Sequence, residues 1–241
     1  MDRNSNAYTF LFVILLIAIV ASALALTATS LQPAQAENVT NEKMQNILGT
    51  VGIEVARDSA QIPFDKYIVE RIALDSKGQE RSDVDAFSVD LKKELKKDVE
   101  EQSFPLYVAD IDGAKYYIVP LRGKGLWDAI WGYVALKDDV NTIKGAVFDH
   151  KGETPGLGAE ITQMWFKKSF DNEKILDSSG NFVGVDVQKG YQGGDNKADN
   201  AVDAISGATI TGDGVTKMIT ERLQNYLPYF QNNTNVKVAS N

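Results

Sequence analysis

Three short stretches of the sequence combine residue types that could hold a ligand. They are residues 122–127 (RGKGLW), 150–160 (HKGETPGLGAE) and 203–211 (DAISGATIT). Each places glycines beside a side chain with a hydroxyl, a carboxylate or an aromatic ring, and glycine lets a backbone come close to a bound group. Each also has an ordinary structural interpretation: a turn after a strand, a buried Trp127, or a surface loop punctuated by proline and glycine.

The third stretch predicts an anion-binding site. Thr209 and Thr211 lie among small residues, just before a helix predicted to begin near Asp213. Backbone N–H groups at a helix start are unpaired and carry partial positive charge, so they favour a phosphate. Small neighbours would let a bulky group reach a threonine hydroxyl. A plain helix cap by Thr211 or Asp213 is the structural alternative, and the glycine patterns fit neither a Walker A loop nor a dinucleotide fingerprint.

Composition excludes several kinds of chemistry. The sequence has no cysteine and one histidine, His150. A disulfide, a thiolate nucleophile and a cysteine-ligated iron–sulfur cluster are therefore excluded, and a zinc site is disfavoured. No Ser-His-Asp arrangement is suggested, so we expect neither catalytic residues nor metal ligands. The net charge of −8 argues against nucleic acid as a partner. Any redox chemistry would have to come from an organic cofactor.

The N-terminal region predicts a membrane anchor. Residues 8–29 are almost continuously apolar; as a helix they would extend roughly 33 Å at about 1.5 Å per residue, enough to cross a bilayer. A cleaved signal peptide is the alternative, because Ala34-Gln35-Ala36 has the form of a cleavage site, but the apolar run is longer than such peptides need. We expect a retained transmembrane helix, with residues 1–7 cytoplasmic because of Arg3 and the remainder exported.

The remainder predicts an α+β fold. Residues 30–41 are interpreted as a linker, 42–230 as the domain and 231–241 as a polar tail. An Asp-Gly pair inside residues 104–121 predicts a β-hairpin. Helices first, then strands, then a mixture favour an antiparallel sheet with flanking helices. The helices are predicted at 41–51, 90–101, 161–169 and 215–227, with Pro228 ending the last, and the further strands at 131–136, 141–149 and 182–188.

The three stretches together resemble a known family. Residues 206–209 (SGAT), preceded by Asp203, resemble the FMN-binding domain family, in which the final threonine is esterified to the FMN phosphate. With residues 123–127 (GKGLW), residues 153–158 (ETPGLG) and the N-terminal anchor, the chain resembles the C subunits of sodium-translocating NADH:quinone reductases. The resemblance runs from the anchor to the last helix, and three ordered motifs are more specific than SGAT alone.

This resemblance implies a cofactor, partners and a location. It implies covalent FMN on Thr209, placed there by a separate flavin transferase that uses FAD and a divalent metal. It implies electron transport from NADH through other membrane and peripheral subunits to quinone, with sodium export by the whole complex and no turnover by this subunit alone. The domain is expected on the periplasmic side of the bacterial inner membrane. The implied cofactor-binding residues are Trp127, Glu153, Thr154, Leu157, Gly158, Ser206, Gly207, Ala208 and Thr209.

Two alternatives stay open at the level of the sequence. The G subunit of Rnf complexes shares the ETPGLG motif but usually has GYGG where this chain has GKGLW. Neighbouring genes and partner subunits would distinguish it. An exported binding or structural domain without a cofactor is the other alternative, and the colour of the natively matured protein, yellow or not, would separate that class.

Overall fold

The N-terminal helix is long and mostly apolar. The computed structural model describes residues 5–234, 236 and 238, and it divides into two compact units after Lys43. Helix α1 spans Asn6–Thr50, 45 residues, and is long and apolar enough to cross a membrane. None of its most apolar window is buried within the protein. Exposed apolar side chains on this scale are what a lipid environment accommodates.

Residues 30–41, predicted as a linker, are helical, because α1 continues through them. Pro33 lies inside this helix. The neighbouring residues are rich in alanine, glutamine, leucine and glutamate, which favour helix strongly enough to offset one missing hydrogen bond. Residues 1–4, which include Arg3, lie outside the described part, as do 235, 237 and 239–241 of the predicted tail.

The second unit is built on a five-stranded antiparallel sheet with the order β1-β2-β3-β4-β5. The predicted hairpin is confirmed, because Asp112 and Gly113 both have positive φ and join β2 to β3. A smaller sheet pairs β6 and β7 in parallel. The strands are β1 (Ile68–Leu74), β2 (Phe104–Ile111), β3 (Ala114–Lys124), β4 (Ala129–Lys137), β5 (Ile143–His150), β6 (Asp186–Gln188) and β7 (Ala201–Asp203).

Both faces of the main sheet are buried, because side chains alternate along each strand. Tyr107 and Ile118 face a core formed with the end of α1 and with α2 (Gln61–Tyr67). Leu106 and Val119 face the larger core on the opposite side. That core holds α4 (Met164–Ser169), α5 (Thr209–Gln224) and α6 (Leu227–Asn233). The α+β prediction with flanking helices is confirmed.

Two predicted helices are corrected. The region 90–101 is helical only in α3 (Leu91–Glu94) and a short 3-10 turn at Val99–Glu101. Neither buries a side chain, and a short helix without an apolar stripe is marginal. The last helix begins at Thr209 rather than near Asp213. Pro228 does not end that helix; it starts α6, since proline suits the first helical turn. The strand predicted at 182–188 is reduced to β6.

Helix α5 lies close against β3. A Cβ atom at Gly214 would be 2.4 Å from the carbonyl oxygen of Lys124, so a larger residue there would push the helix away from the strand. This contact places the first turn of α5 beside the turn that joins β3 and β4. This packing brings together two of the three candidate motifs, residues 122–127 and 203–211, which are far apart in the sequence.

Candidate functional site

The three candidate motifs meet around one cavity of about 250 Å³. Its walls are the β3–β4 turn, the loop that follows β5 and the start of α5. The lining residues are Leu126, Glu153, Thr154, Leu157, Gly158, Gly207, Ala208, Thr209, Ile210 and Thr211. Six residues proposed from the sequence therefore line a single cavity together with Thr209, while Trp127 and Ser206 lie outside the set.

Glu153 connects two walls of this cavity. Its side chain is buried, with only 4% of the residue exposed. Oε1 accepts a hydrogen bond from the backbone N–H of Trp127 over 3.0 Å, and Oε2 accepts one from the hydroxyl of Thr211 over 2.7 Å. The backbone N–H of Glu153 donates to Nδ1 of His150 over 3.1 Å. The carboxylate therefore joins the β3–β4 turn to the first turn of α5.

Glycine at two motif positions makes room for this carboxylate. A Cβ atom on Gly158 would lie 2.3 Å from Oε2 of Glu153 and 2.6 Å from Oγ1 of Thr211. A Cβ atom on Gly125 would lie 2.5 Å from Oε1 of Glu153. Such distances are too short for any non-bonded contact between carbon and oxygen. Gly125 of GKGLW and Gly158 of ETPGLG thus leave space for the carboxylate of Glu153, in addition to allowing a ligand to come close.

The start of α5 offers hydrogen-bond donors to an anion. Thr209 is its first residue, and the capping position at Ala208 supplies no side-chain hydrogen bond. The N–H groups of the first turn lack intrahelical partners, and with the helix dipole they favour a phosphate. The preceding Gly207 has a φ of 75°, a conformation that glycine adopts readily.

The two threonines at this helix start have different environments. Thr211 is 1% exposed, and its hydroxyl donates to Glu153. Thr209 is exposed, and its hydroxyl forms no hydrogen bond within the described part of the chain. A bulky group could reach the hydroxyl of Thr209 without displacing a buried side chain, whereas Thr211 is enclosed and already bonded.

Apolar side chains surround the cavity but remain accessible to solvent. Leu126, Leu157 and Ile210 are exposed, and Trp127 is 67% exposed. The interpretation of Trp127 as a core residue is therefore wrong. Its indole N–H donates to the hydroxyl of Thr154 over 3.2 Å, which fixes the ring beside the cavity. An accessible apolar rim of this kind suits a planar ring system better than a small polar ligand.

A surface ion pair joins the same two loops. Nζ of Lys151 lies 2.7 Å from Oδ2 of Asp128. The hydrogen bond from Lys151 lowers the pKa of the Asp128 carboxyl below its ordinary value. Both groups are well exposed, so this pair contributes little to stability.

Sequence reasoning missed three features of the site. Leu126 and Ile210 were not proposed, although each adjoins a proposed residue and is apolar within a polar, glycine-rich stretch. The structural role of Thr211 was also missed, since its partner Glu153 is 58 residues away. Ser206 was proposed, and it is exposed on the turn before α5.

Residues 125–224 match the FMN-binding domain family. The unit that carries the cavity therefore contains an FMN-binding domain, which follows an apolar N-terminal helix. The matched range begins in the β3–β4 turn and ends with α5, and it contains every residue that lines the cavity.

Full-length relatives give a more specific assignment. The chain is 31% identical to the C subunit of the Na⁺-translocating NADH-quinone reductase of Vibrio anguillarum, with 88% of each chain covered. It is 29% identical to the corresponding protein of Pseudomonas aeruginosa, covering 90% of this chain and 91% of that one. A crystal structure of the C subunit from Parabacteroides distasonis matches with a TM-score of 0.75 at 38% identity, covering 83% of this chain and 96% of that one. The chain belongs to the family of Na⁺-translocating NADH-quinone reductase C subunits.

Proposed function

We propose that this chain is a membrane-anchored electron-transfer subunit that carries FMN within a sodium-translocating NADH:quinone oxidoreductase complex. The observation that carries the proposal is the exposed hydroxyl of Thr209, at an uncapped helix start and beside a cavity with an apolar rim. Family membership favours this function over the Rnf-type alternative, and the FMN-binding match favours it over a domain without a cofactor.

The residues present fit both halves of FMN. The phosphate would be held by Oγ1 of Thr209 and by the backbone N–H groups at the start of α5, after the turn formed by Ser206, Gly207 and Ala208. The ring would be held by the apolar rim, with the hydroxyl of Thr154 nearby. The rim residues are Leu126, Trp127, Leu157 and Ile210. Bound FMN supplies the redox chemistry that the side chains of this chain lack.

Attachment to Thr209 is part of the proposal. A flavin transferase would join Oγ1 of Thr209 to the FMN phosphorus of FAD, with AMP leaving and the hydroxyl proton released. A phosphoester keeps the cofactor on an exported domain, where a dissociating flavin would be diluted. Thr211 is the poorer acceptor because its hydroxyl is buried and bonded to Glu153.

The anchor would place the domain beside its partners. We propose that the apolar part of α1 crosses the bacterial inner membrane once and that the domain faces the periplasm. Confinement to the membrane raises the effective concentration of the other subunits without requiring further contacts. Electrons would then enter from one membrane partner and leave to another on the way to quinone.

The mass of the intact protein from its native membrane tests this function. We expect the chain mass plus one FMN less one water, and peptide mapping should place the addition on Thr209. Protein from native membranes with no added mass would contradict the covalent proposal. Recombinant protein made without the transferase does not test it, since that protein would lack flavin in either case.

A further inference from the structure

We propose that Glu153 is a positioning residue, which holds the two walls of the flavin cavity at a fixed spacing through Trp127 and Thr211 and sets the electrostatic potential between them. This inference rests on the proposed flavin site. It differs from a ligand role for Glu153, because both carboxylate oxygens bond inward to protein donors.

The first argument is geometric. Trp127 belongs to the β3–β4 turn and Thr211 to the first turn of α5, and Glu153 is bonded to both. The rim residue Trp127 and the acceptor Thr209 are attached to these same two elements. A change in the spacing of the two walls would therefore change how a ring held by one wall lies against a phosphate held by the other.

The second argument concerns enclosure. Gly125 and Gly158 come so close to the carboxylate that neither position has room for a Cβ atom. With 4% of the residue exposed, Glu153 has little freedom to turn towards the cavity. A side chain enclosed in this way acts on a ligand through the groups that it holds.

The third argument is electrostatic. Within the described residues, no lysine or arginine forms an ion pair with Glu153; its charge is stabilised by two hydrogen bonds and by the nearby start of α5. Because Glu153 is buried, water screens its negative charge less than it would at the surface, and the charge acts on the adjacent cavity. Such a charge opposes the uptake of electrons by a neighbouring flavin.

The experiment uses the full-length chain, co-expressed with a flavin transferase and purified in detergent. Glu153→Gln removes the charge while keeping the volume, Thr211→Val removes the hydroxyl that Glu153 binds, and Thr211→Ser restores a hydroxyl. For each protein, the visible circular dichroism of the flavin and its midpoint potential are measured. Both values are expressed per bound flavin, so that a change in loading does not count as an effect.

We expect Thr211→Val to weaken the induced circular dichroism and Thr211→Ser to retain it, because only the former breaks the link to Glu153. We expect Glu153→Gln to shift the midpoint potential to more positive values. Thr162→Val is the matched hydroxyl control, since within the described part of the chain the hydroxyl of Thr162 donates only to the carbonyl oxygen of Ala159. Glu173→Gln is the matched carboxylate control, since Glu173 is 1% exposed and lines a different cavity.

The outcomes separate this inference from the proposed function. Wild-type protein without flavin on Thr209 would overturn the proposed function itself. Flavinylated wild-type protein, with dichroism and potential unchanged in Thr211→Val and Glu153→Gln, would overturn the positioning role alone. Equal changes in the Thr162 and Glu173 controls would also overturn it, because the effect would then not be specific to Glu153 and Thr211.

Discussion

The indole N–H of Trp127 donates a hydrogen bond to the hydroxyl of Thr154 over 3.2 Å and so joins the β3–β4 turn to the loop after β5. This bond holds a largely exposed aromatic ring beside the cavity. Exposed tryptophans lose conformational freedom when they are fixed, and a single hydrogen bond contributes about 1 kcal/mol at most sites. The fixed position of the Trp127 ring therefore indicates that this ring borders one side of the cavity.

We expect Trp127→Ala and Leu157→Ala to leave the flavin more open to solvent. Each substitution removes apolar cover from the rim of the cavity. Collisional quenching of flavin fluorescence by iodide should increase in both variants. Trp165→Ala is the matched control, because Trp165 is also exposed but belongs to α4, which contributes no residue to the cavity wall. Unchanged quenching in both rim variants would place the ring elsewhere.

Thr209→Val should abolish covalent flavin, whereas Thr211→Val should retain it. Valine keeps the shape of threonine and removes the hydroxyl, and only the hydroxyl of Thr209 is exposed and without a bonding partner in the described part of the chain. The measurement is in-gel flavin fluorescence after co-expression with the transferase. The reverse pattern would assign the flavin to Thr211.

Gly158→Ala should destabilise the domain. The added methyl group would meet Oε2 of Glu153 at 2.3 Å, and overpacking of this kind costs about 1–3 kcal/mol of unfolding free energy. Gly152→Ala is the control, since no atom lies within 4 Å of a Cβ built there; its effect should stay within about 0.5 kcal/mol. Urea unfolding followed by tryptophan fluorescence measures both. Equal stabilities would show that Glu153 can move aside.

Much of the sheet could be predicted because its signals are local. Asp112-Gly113 specifies a tight turn by conformational preference alone, and the alternation of apolar residues specifies β2 and β3 on either side. The stretch around Thr209 was identified as a helix start by the same kind of local reasoning. The helix begins at Thr209, four residues before the predicted start near Asp213. Glycine and threonine have low helix propensity, so residue types alone do not indicate the first turn of α5.

The interior of the site could not be predicted because its contacts are distant in sequence. Glu153 bonds to residues 26 and 58 positions away. Those pairings depend on the register of β3 and β4 and on how closely α5 approaches the strand, and neither is encoded in a short motif. The motif identified Glu153 as important, but only the packing shows that its carboxylate faces the protein interior.

Glu173 should make the folded protein more stable as the pH falls through the range in which its carboxyl titrates. Burial raises the pKa of its carboxyl above the ordinary 4.5, and the ammonium of Lys197, 2.9 Å away, opposes that rise. A raised folded-state pKa means that the folded protein binds this proton more tightly. The contribution of Glu173 to stability therefore grows as the pH falls from above the raised pKa towards 4.5.

Glu173→Gln removes this contribution. The melting temperature of the variant minus that of the wild type should therefore decrease as the pH is lowered through that window. Asp177→Asn should show the opposite sign at lower pH, since hydrogen bonding from Asn181 lowers the pKa of the Asp177 carboxyl below 3.8. Differential scanning calorimetry at several pH values measures the melting temperatures of both variants and of the wild type. A difference for Glu173→Gln that does not vary with pH would contradict the assignment.

Thr209→Val should block NADH-driven quinone reduction in the assembled complex, because the chain has no cysteine and one histidine and so offers electrons no other carrier. Reduction of a soluble acceptor at the NADH-oxidising subunit should persist, since that step lies upstream. Both activities are measured on the same membranes after assembly has been confirmed, with Thr162→Val as a control that leaves the site intact. Loss of both activities would indicate a defect in assembly or in the upstream subunit. Normal quinone reduction without flavin on this chain would make its role structural and would contradict the proposed electron path.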